Sequence, residues 1–289
     1  MARTRGRGPA YEKHLRAPCA KRRRMSESVV LAAQEGAVLT LTLNRPEKIN
    51  AFNDAMAIQL LAALERGAAD TSVRAIAICG AGRGFSSGQD LEAFIEMQTP
   101  GASRVSVAEH LRHGYNKLVM RIRTIEKPIV ASLGGIAAGV GLSIALACDL
   151  RIAGDDSQLT LGFAKIGLVP DGGASFMLPL LAGFGRGLEL AMLSDRIDAL
   201  EAHRLGLVNR VVPAASLVVE TAALARRLAE VSPIAAGLTK RAFNEAIMPQ
   251  FAAWLDREAD IQEEAALGGD LMEGVGAFLQ KRKAVFAAR

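Results

Sequence analysis

Apolar residues recur in short runs along this chain, and their spacing switches between two and three or four. Val38-Leu39-Thr40-Leu41-Thr42-Leu43 alternates with period two and predicts a strand. Val29-Val30-Leu31 precedes it, and Gln34-Glu35-Gly36 between them reads as a hairpin turn. Asn44-Arg45-Pro46 breaks the second strand, and Asn53-Asp54 caps a helix running to about Arg66, with Met56, Leu60, Leu61 and Leu64 on one face. A buried strand over Val73–Cys79, a loop over Gly80–Gly88 and a helix from about Asp90 follow. A helix over about Val107–Ile125 leads to a strand at Pro128–Leu133. A helix over about Val140–Ala147 then precedes strands at Leu150–Ile152 and Leu159–Leu161, and from Ala199 helical periodicity dominates to the end. Strand, strand, helix, repeated, predicts an α/β core of repeated turns with a C-terminal helical lobe.

Ile129–Cys148 is a run of 20 uncharged, mostly apolar residues, and its length alone would permit a membrane-spanning helix. Its strand-like opening and the cut at Gly134-Gly135 instead predict a buried strand, a glycine turn and a buried helix. Charge divides the chain differently. Residues 1–24 hold nine Lys/Arg and one acid, so this tail carries +8 and the remaining 265 residues −3 of the net +5. The tail reads as disordered, and Met25-Ser26-Glu27 looks like a natural start. Its charge admits nucleic-acid binding, but with Tyr11 as its one aromatic it offers no stacking platform, and nucleic acid is not the expected partner. Cys19, Cys79 and Cys148 are scattered and show no metal spacing with the four histidines. This predicts a reducing, cytoplasmic setting without disulfides or a metal site.

Two glycine-rich stretches can carry chemistry. Gly84-Phe85-Ser86-Ser87-Gly88-Gln89-Asp90 and the run from Gly134 through Gly139 to Gly141 each lead into a helix N-terminus. Glycines let backbone N–H groups approach a ligand, and two such donors converging on one carbonyl would form an oxyanion hole. The bland readings are a strand-to-helix turn and tight helix–sheet packing. Downstream, Asp171 in Gly167-Leu168-Val169-Pro170-Asp171-Gly172-Gly173 is a lone acid that could shuttle a proton or simply cap a helix starting near Ala174.

These stretches resemble the crotonase superfamily, the enoyl-CoA hydratases and isomerases, and the resemblance covers nearly all of residues 29–286. Further matches are Leu43-Asn44-Arg45-Pro46, Ala145–Ala153, Ala202–Val208 and Glu273–Arg282. The resemblance implies a spiral of strand–strand–helix turns over residues 25–212 and a helical lobe over 213–289 that mediates a homotrimer, commonly doubled to a hexamer. It implies an acyl-CoA thioester substrate, with no cofactor beyond the CoA that the substrate carries. By matching positions, the Gln89 and Val140 N–H groups would form the oxyanion hole, with Gly88 and Gly139 beside them. Lys48, Ile49, Ser87, Asp90, Leu91, Phe163, Phe278 and Lys281 would line the path of the thioester.

The departures from the pattern bear on the reaction. Where hydratases of this type carry two glutamates, this chain has Ser143 and Phe163. Neither can act as a carboxylate acid/base, so an efficient hydratase of the usual kind is not expected. Asp171 matches a carboxylate used by enoyl-CoA isomerases and by the ring-epoxide isomerase of phenylacetyl-CoA. Local similarity to the latter spans Tyr115–Val119 and Phe163–Asp171. A related dehalogenase pairs such an Asp with a histidine where this chain has Asn116, which disfavours dehalogenation. The expected activity is double-bond isomerisation, with 2-enoyl-CoA hydration, a CoA-binding scaffold and nucleic-acid binding as alternatives. His110 and His113 read as surface residues, Asp149 as a structural charge, and Glu92 and Glu96 as a solvated pair.

Overall fold

The structure is a computed structural model that describes residues 28–98 and 106–287. The tail 1–24, the Met25 start and the Glu96 side chain lie outside the described residues. Strands β1 (Val30–Glu35) and β2 (Val38–Leu43) form an antiparallel hairpin that pairs Val30 with Leu43 and Glu35 with Val38. Its turn falls at Gly36-Ala37, one position later than the sequence suggests. Leu41 and Leu43 are fully buried while Thr40 and Thr42 are half-buried, the outcome that period-two alternation dictates. Helix α1 (Asp54–Ala69) starts as expected, with the Asn53 side chain accepting from the Met56 N–H at 3.0 Å.

Strand β3 (Ala75–Gly80) joins β2 in parallel, and three-residue β4 (Gly84–Ser86) leaves for a second sheet. Helices α2 (Leu91–Gln98), α3 (Val107–His113) and α4 (Tyr115–Thr124) follow. The single helix expected over 107–125 is thus two, broken at Gly114, and the break makes Tyr115 the first residue of α4. The next turn of the spiral is β5 (Ile129–Leu133), β6 (Ile136–Ala138) and α5 (Gly139–Ala147). The 20-residue apolar run is therefore two strands and a helix. Every residue of β5 and all of Val140–Ala147 are buried, so the helix has no polar face to show. No helix among the described residues is long and apolar enough to cross a membrane.

A third turn repeats the plan with β7 (Leu150–Gly154), β8 (Gln158–Thr160), α6 (Ala174–Ala182) and α7 (Phe184–Leu193). Each turn lends one strand to each sheet. The larger sheet runs β1-β2-β3-β5-β7 and closes with β10 (Arg210–Val212); the smaller runs β4-β6-β8 and closes with β9 (Ile197–Asp198). Helix α8 (Ala199–Arg204) sits between these closing strands. Two- and three-residue strands leave no readable period, which is why β4, β6, β9 and β10 escape a sequence reading. Asp149 is the structural charge expected. It accepts from Arg123 Nη1 at 3.1 Å, Lys240 Nζ at 2.8 Å and the Ile129 N–H at 2.8 Å.

Four more helices follow among the described residues: α9 (Leu217–Glu230), α10 (Pro233–Ile247), α11 (Phe251–Leu267) and α12 (Asp270–Leu279). Leu217 and Leu224 of α9 pack on Val130 and Ile152 of the larger sheet. Phe251, Leu255 and Ala259 of α11 belong to the same core as the spiral. On that buried stripe α11 also carries two polar residues, Glu258 and Gln262.

Candidate active site

The first glycine stretch is held by backbone bonds to the segment after β2. Ser87 N–H donates to Ile49 O at 2.8 Å, Phe52 N–H to Gly88 O at 2.7 Å, and Asp90 N–H to Phe52 O at 2.8 Å. The last two bonds straddle Gln89 as in a parallel ladder, so its own N–H points to the opposite side. Val140 is the second residue of α5, where an N–H has no intrahelical acceptor. The two loops touch. A Cβ on Gly88 would stand 3.1 Å from the Ala138 carbonyl oxygen and 3.4 Å from Gly139 Cα, so even a methyl there would crowd the second loop. Gln89 and Val140 thus stand on adjoining loops that both line a cavity of about 470 Å³.

Ser87, Gly88 and Gln89 line that cavity from the first stretch, Ile49 and Leu91 from the segments packed beside it, and Gly139 and Val140 from the second. Phe163, Asp171 and Phe278 close it, the last from α12 and 62% exposed. Lys48, Asp90 and Lys281 do not line it. Asp90 is buried and bonded to Arg45 Nη2 at 2.8 Å. Burial opposes its charge, yet the Arg45 and Lys48 partners hold the carboxyl below its ordinary value. Lys48 spans Asp90 at 3.3 Å and Glu92 at 2.9 Å, so its ammonium is already paired, and Lys281 is exposed just after α12.

Asp171 faces the cavity from the turn before α6. Helix α6 has Gly173 at its N-cap, and the Gly173 and Ser175 N–H groups donate to Glu258 of α11, so the Asp171 side chain does not cap it. Gly172 and Gly173 both have positive φ, +60° and +80°, and a Cβ on Gly173 would strike the Phe251 ring at 2.7 Å. This double glycine lets the chain reverse tightly enough to leave the carboxylate at the wall. Gln262 Nε2 of α11 donates to Asp171 Oδ2 at 3.0 Å, while Oδ1 is buried with no partner among the described residues. Burial first, and the Glu258 charge second, push the carboxyl up to about 7; the Gln262 bond opposes them. A carboxyl poised there can both take and return a proton near neutral pH. Ser143 lies behind the turn, buried, and does not reach the cavity lining. No group of three or more His, Cys, Asp or Glu is arranged to hold a metal ion among the described residues.

Several contributors are not evident from sequence reasoning. Tyr115 lines the cavity, and its hydroxyl donates to Gln89 Oε1; burial raises its pKa well above the usual phenol value. His110 is not the surface residue expected. Its side chain is 13% exposed, it lines the cavity, and burial lowers its pKa against the pull of Asp54 at 3.7 Å. His113 is exposed. Glu258 and Gln262 are the largest omission. Their signal was legible: two polar residues spaced i, i+4 on an otherwise apolar helical stripe.

This geometry has known counterparts. Residues 33–289 match the enoyl-CoA hydratase/isomerase family. A 1,2-epoxyphenylacetyl-CoA isomerase of Escherichia coli (strain K12) is 38% identical over 260 residues, 90% of this chain and 98% of that protein. A 2,3-dehydroadipyl-CoA hydratase of the same organism is 33% identical over 265 residues, 92% of this chain and all of that protein. The solved structure of an enoyl-CoA hydratase from Mycobacterium avium subsp. paratuberculosis K-10 is 35% identical, with a TM-score of 0.80, covering 90% of this chain and 99% of that one. The chain belongs to the enoyl-CoA hydratase/isomerase family, and its spiral is the crotonase fold.

Proposed function

We propose that this enzyme shifts the double bond of a 3-enoyl-CoA thioester into conjugation, with Asp171 as its single acid/base. The observation that carries this reading is the cavity lining: Asp171 is its one carboxylate among the described residues. The thioester oxygen accepts from the Gln89 and Val140 N–H groups, each donor contributing roughly 3 kcal/mol where charge develops. Asp171 takes the α-proton, the enolate forms in the hole, and the same carboxyl returns the proton to the γ-carbon. Leu161, Phe163 and Leu168 supply an apolar wall that excludes water. The step needs no cofactor beyond the CoA of the substrate. The isomerase among the relatives supports the reading; the hydratase favours 2-enoyl-CoA hydration as the second. Incubation with 3-hexenoyl-CoA and with crotonyl-CoA separates them. Rapid formation of 2-hexenoyl-CoA, with slow hydration of crotonyl-CoA, is expected. Fast hydration undiminished in Asp171→Asn would sink the isomerase reading.

The trimer, or its hexameric doubling, belongs to the same reading. Exposed apolar side chains on α7 (Phe184, Met192), α9 (Val218, Val219) and α10 (Ile234, Phe243) support self-association. Light scattering on the eluting protein tests it, and a monomer at micromolar concentration would refute it. Free Cys79 and Cys148 support a cytoplasmic setting.

A further inference from the structure

A second buried carboxylate stands behind the first. Glu258 is 2% exposed and does not line the cavity. Its Oε2 accepts from the Gly173 N–H at 2.7 Å, and its Oε1 from the Ser175 N–H at 3.2 Å and from the Ser175 hydroxyl. Trp254 Nε1 donates to that same hydroxyl at 2.9 Å, orienting it. These N–H groups form the first turn of α6, where backbone partial charge is positive. Asp171 lies two residues before Gly173. It has one donor, Gln262 Nε2, to the three of Glu258. No Lys, Arg or His bonds either carboxylate among the described residues. The other titratable groups lining the cavity do not neutralise the pair. Lys165 Nζ is turned to the Ser194 carbonyl at 2.6 Å, Arg196 is exposed, and burial disfavours charge on His110 and Tyr115.

Two buried like charges without a cation cannot both ionise freely. Burial pushes the Glu258 carboxyl up to about 7 as well, against the pull of its donors, and with three donors to one it is the member of the pair that ionises first. We propose that Glu258 is a positioning residue: bonded by three donors at the N-terminus of α6, it takes the negative charge of the pair ahead of Asp171 and thereby makes Asp171 a stronger base for the isomerisation. The inference rests on the isomerase reading for its kinetic consequence only. Glu258 neither gives nor takes the migrating proton. That proton passes from the α-carbon to Asp171 and from Asp171 to the γ-carbon. Gln262, one turn along α11, sets the geometry of the same carboxyl by bonding Asp171 Oδ2 and accepting from the Val169 N–H at 2.9 Å.

The test follows Asp171 in two ways. One is the pH profile of kcat/KM with 3-hexenoyl-CoA. The other is infrared titration of the protonated-carboxyl band, assigned as the band missing in Asp171→Asn. In Glu258→Gln, both midpoints should fall by about one pH unit or more, with a lower plateau rate at high pH and a larger fraction of it retained at pH 5. Ser175→Ala weakens the hold on the Glu258 charge and should move both midpoints the same way by less. A merely structural residue would lower the rate at every pH and leave the midpoints in place. Unmoved or raised midpoints in folded Glu258→Gln overturn the proposal. If that variant does not fold, unmoved midpoints in Ser175→Ala do so. If the wild-type protein does not turn over 3-hexenoyl-CoA, the isomerase reading fails while the infrared midpoints still decide the role of Glu258.

Discussion

The two sides of the cavity are built in opposite ways. The side proposed to hold the oxyanion is backbone. Gln89 and Val140 offer N–H groups from loops that lie against each other, and the ladder bonds between Phe52 and its partners Gly88 and Asp90 aim one of them. The side proposed for proton transfer is a side chain held by other side chains. Asp171 depends on Gln262 at a sequence separation of 91 residues, and the turn behind it depends on Glu258 at 85. Backbone donors cannot titrate, so the first side works alike at any ordinary pH. A carboxylate can, so the second side is set by whatever surrounds it.

Substitutions can break this contrast. Asp171→Asn should lower kcat for isomerisation by roughly 10²–10⁴-fold and leave acyl-CoA binding within a few-fold, measured by steady-state kinetics and calorimetry. The same substitution should stabilise the protein in alkali. The folded-state pKa of Asp171 is raised from 3.8 to about 7. The native state therefore keeps its proton after the unfolded chain has lost it, and this contribution to stability is full below about pH 4 and gone above about pH 7. Asp171→Asn removes that loss. Its stability advantage over wild type, read from Tm, should grow between about pH 4 and pH 7, toward an upper limit on the order of 4 kcal/mol. A pH-independent difference would show that the carboxyl is not raised.

On the backbone side, Gly88→Ala places a Cβ 3.1 Å from the Ala138 carbonyl at a φ of +94°, and must part the two loops. A misplaced donor costs about 10²-fold in kcat, and the pH midpoint of the profile should not move. The smallest effect is also the sharpest. Gln262→Leu removes the donor that favours ionised Asp171, so the acid limb should rise by about one pH unit or less, opposite in sign to Glu258→Gln. A fall instead would mean that Gln262 does not bond the ionised carboxyl.

Much of this molecule was legible along the chain. The Asn53 cap, the alternation of Val38–Leu43 and the repeated strand–strand–helix order are local, and local geometry is what periodicity reports. Of the short strands of the second sheet only β8 was legible, as Leu159–Leu161; β4, β6 and β9 were not, because two or three residues leave no period and their pairing is long-range. Nor was the break at Gly114 that brings Tyr115 to the cavity, since glycine inside a helical pattern does not announce whether the helix bends or stops.

Residue types at spaced positions determined the family, the two backbone loops and Asp171 as the candidate acid. Which of those residues face the cavity was decided in three dimensions. Asp90 and Lys48 spend their charges on ion pairs, His110 turns inward, and α11 brings Glu258 and Gln262 to the Asp171 turn. Sequence names a carboxylate; its ionisation depends on burial and on neighbouring charge and donors, and those exist only once distant segments have packed.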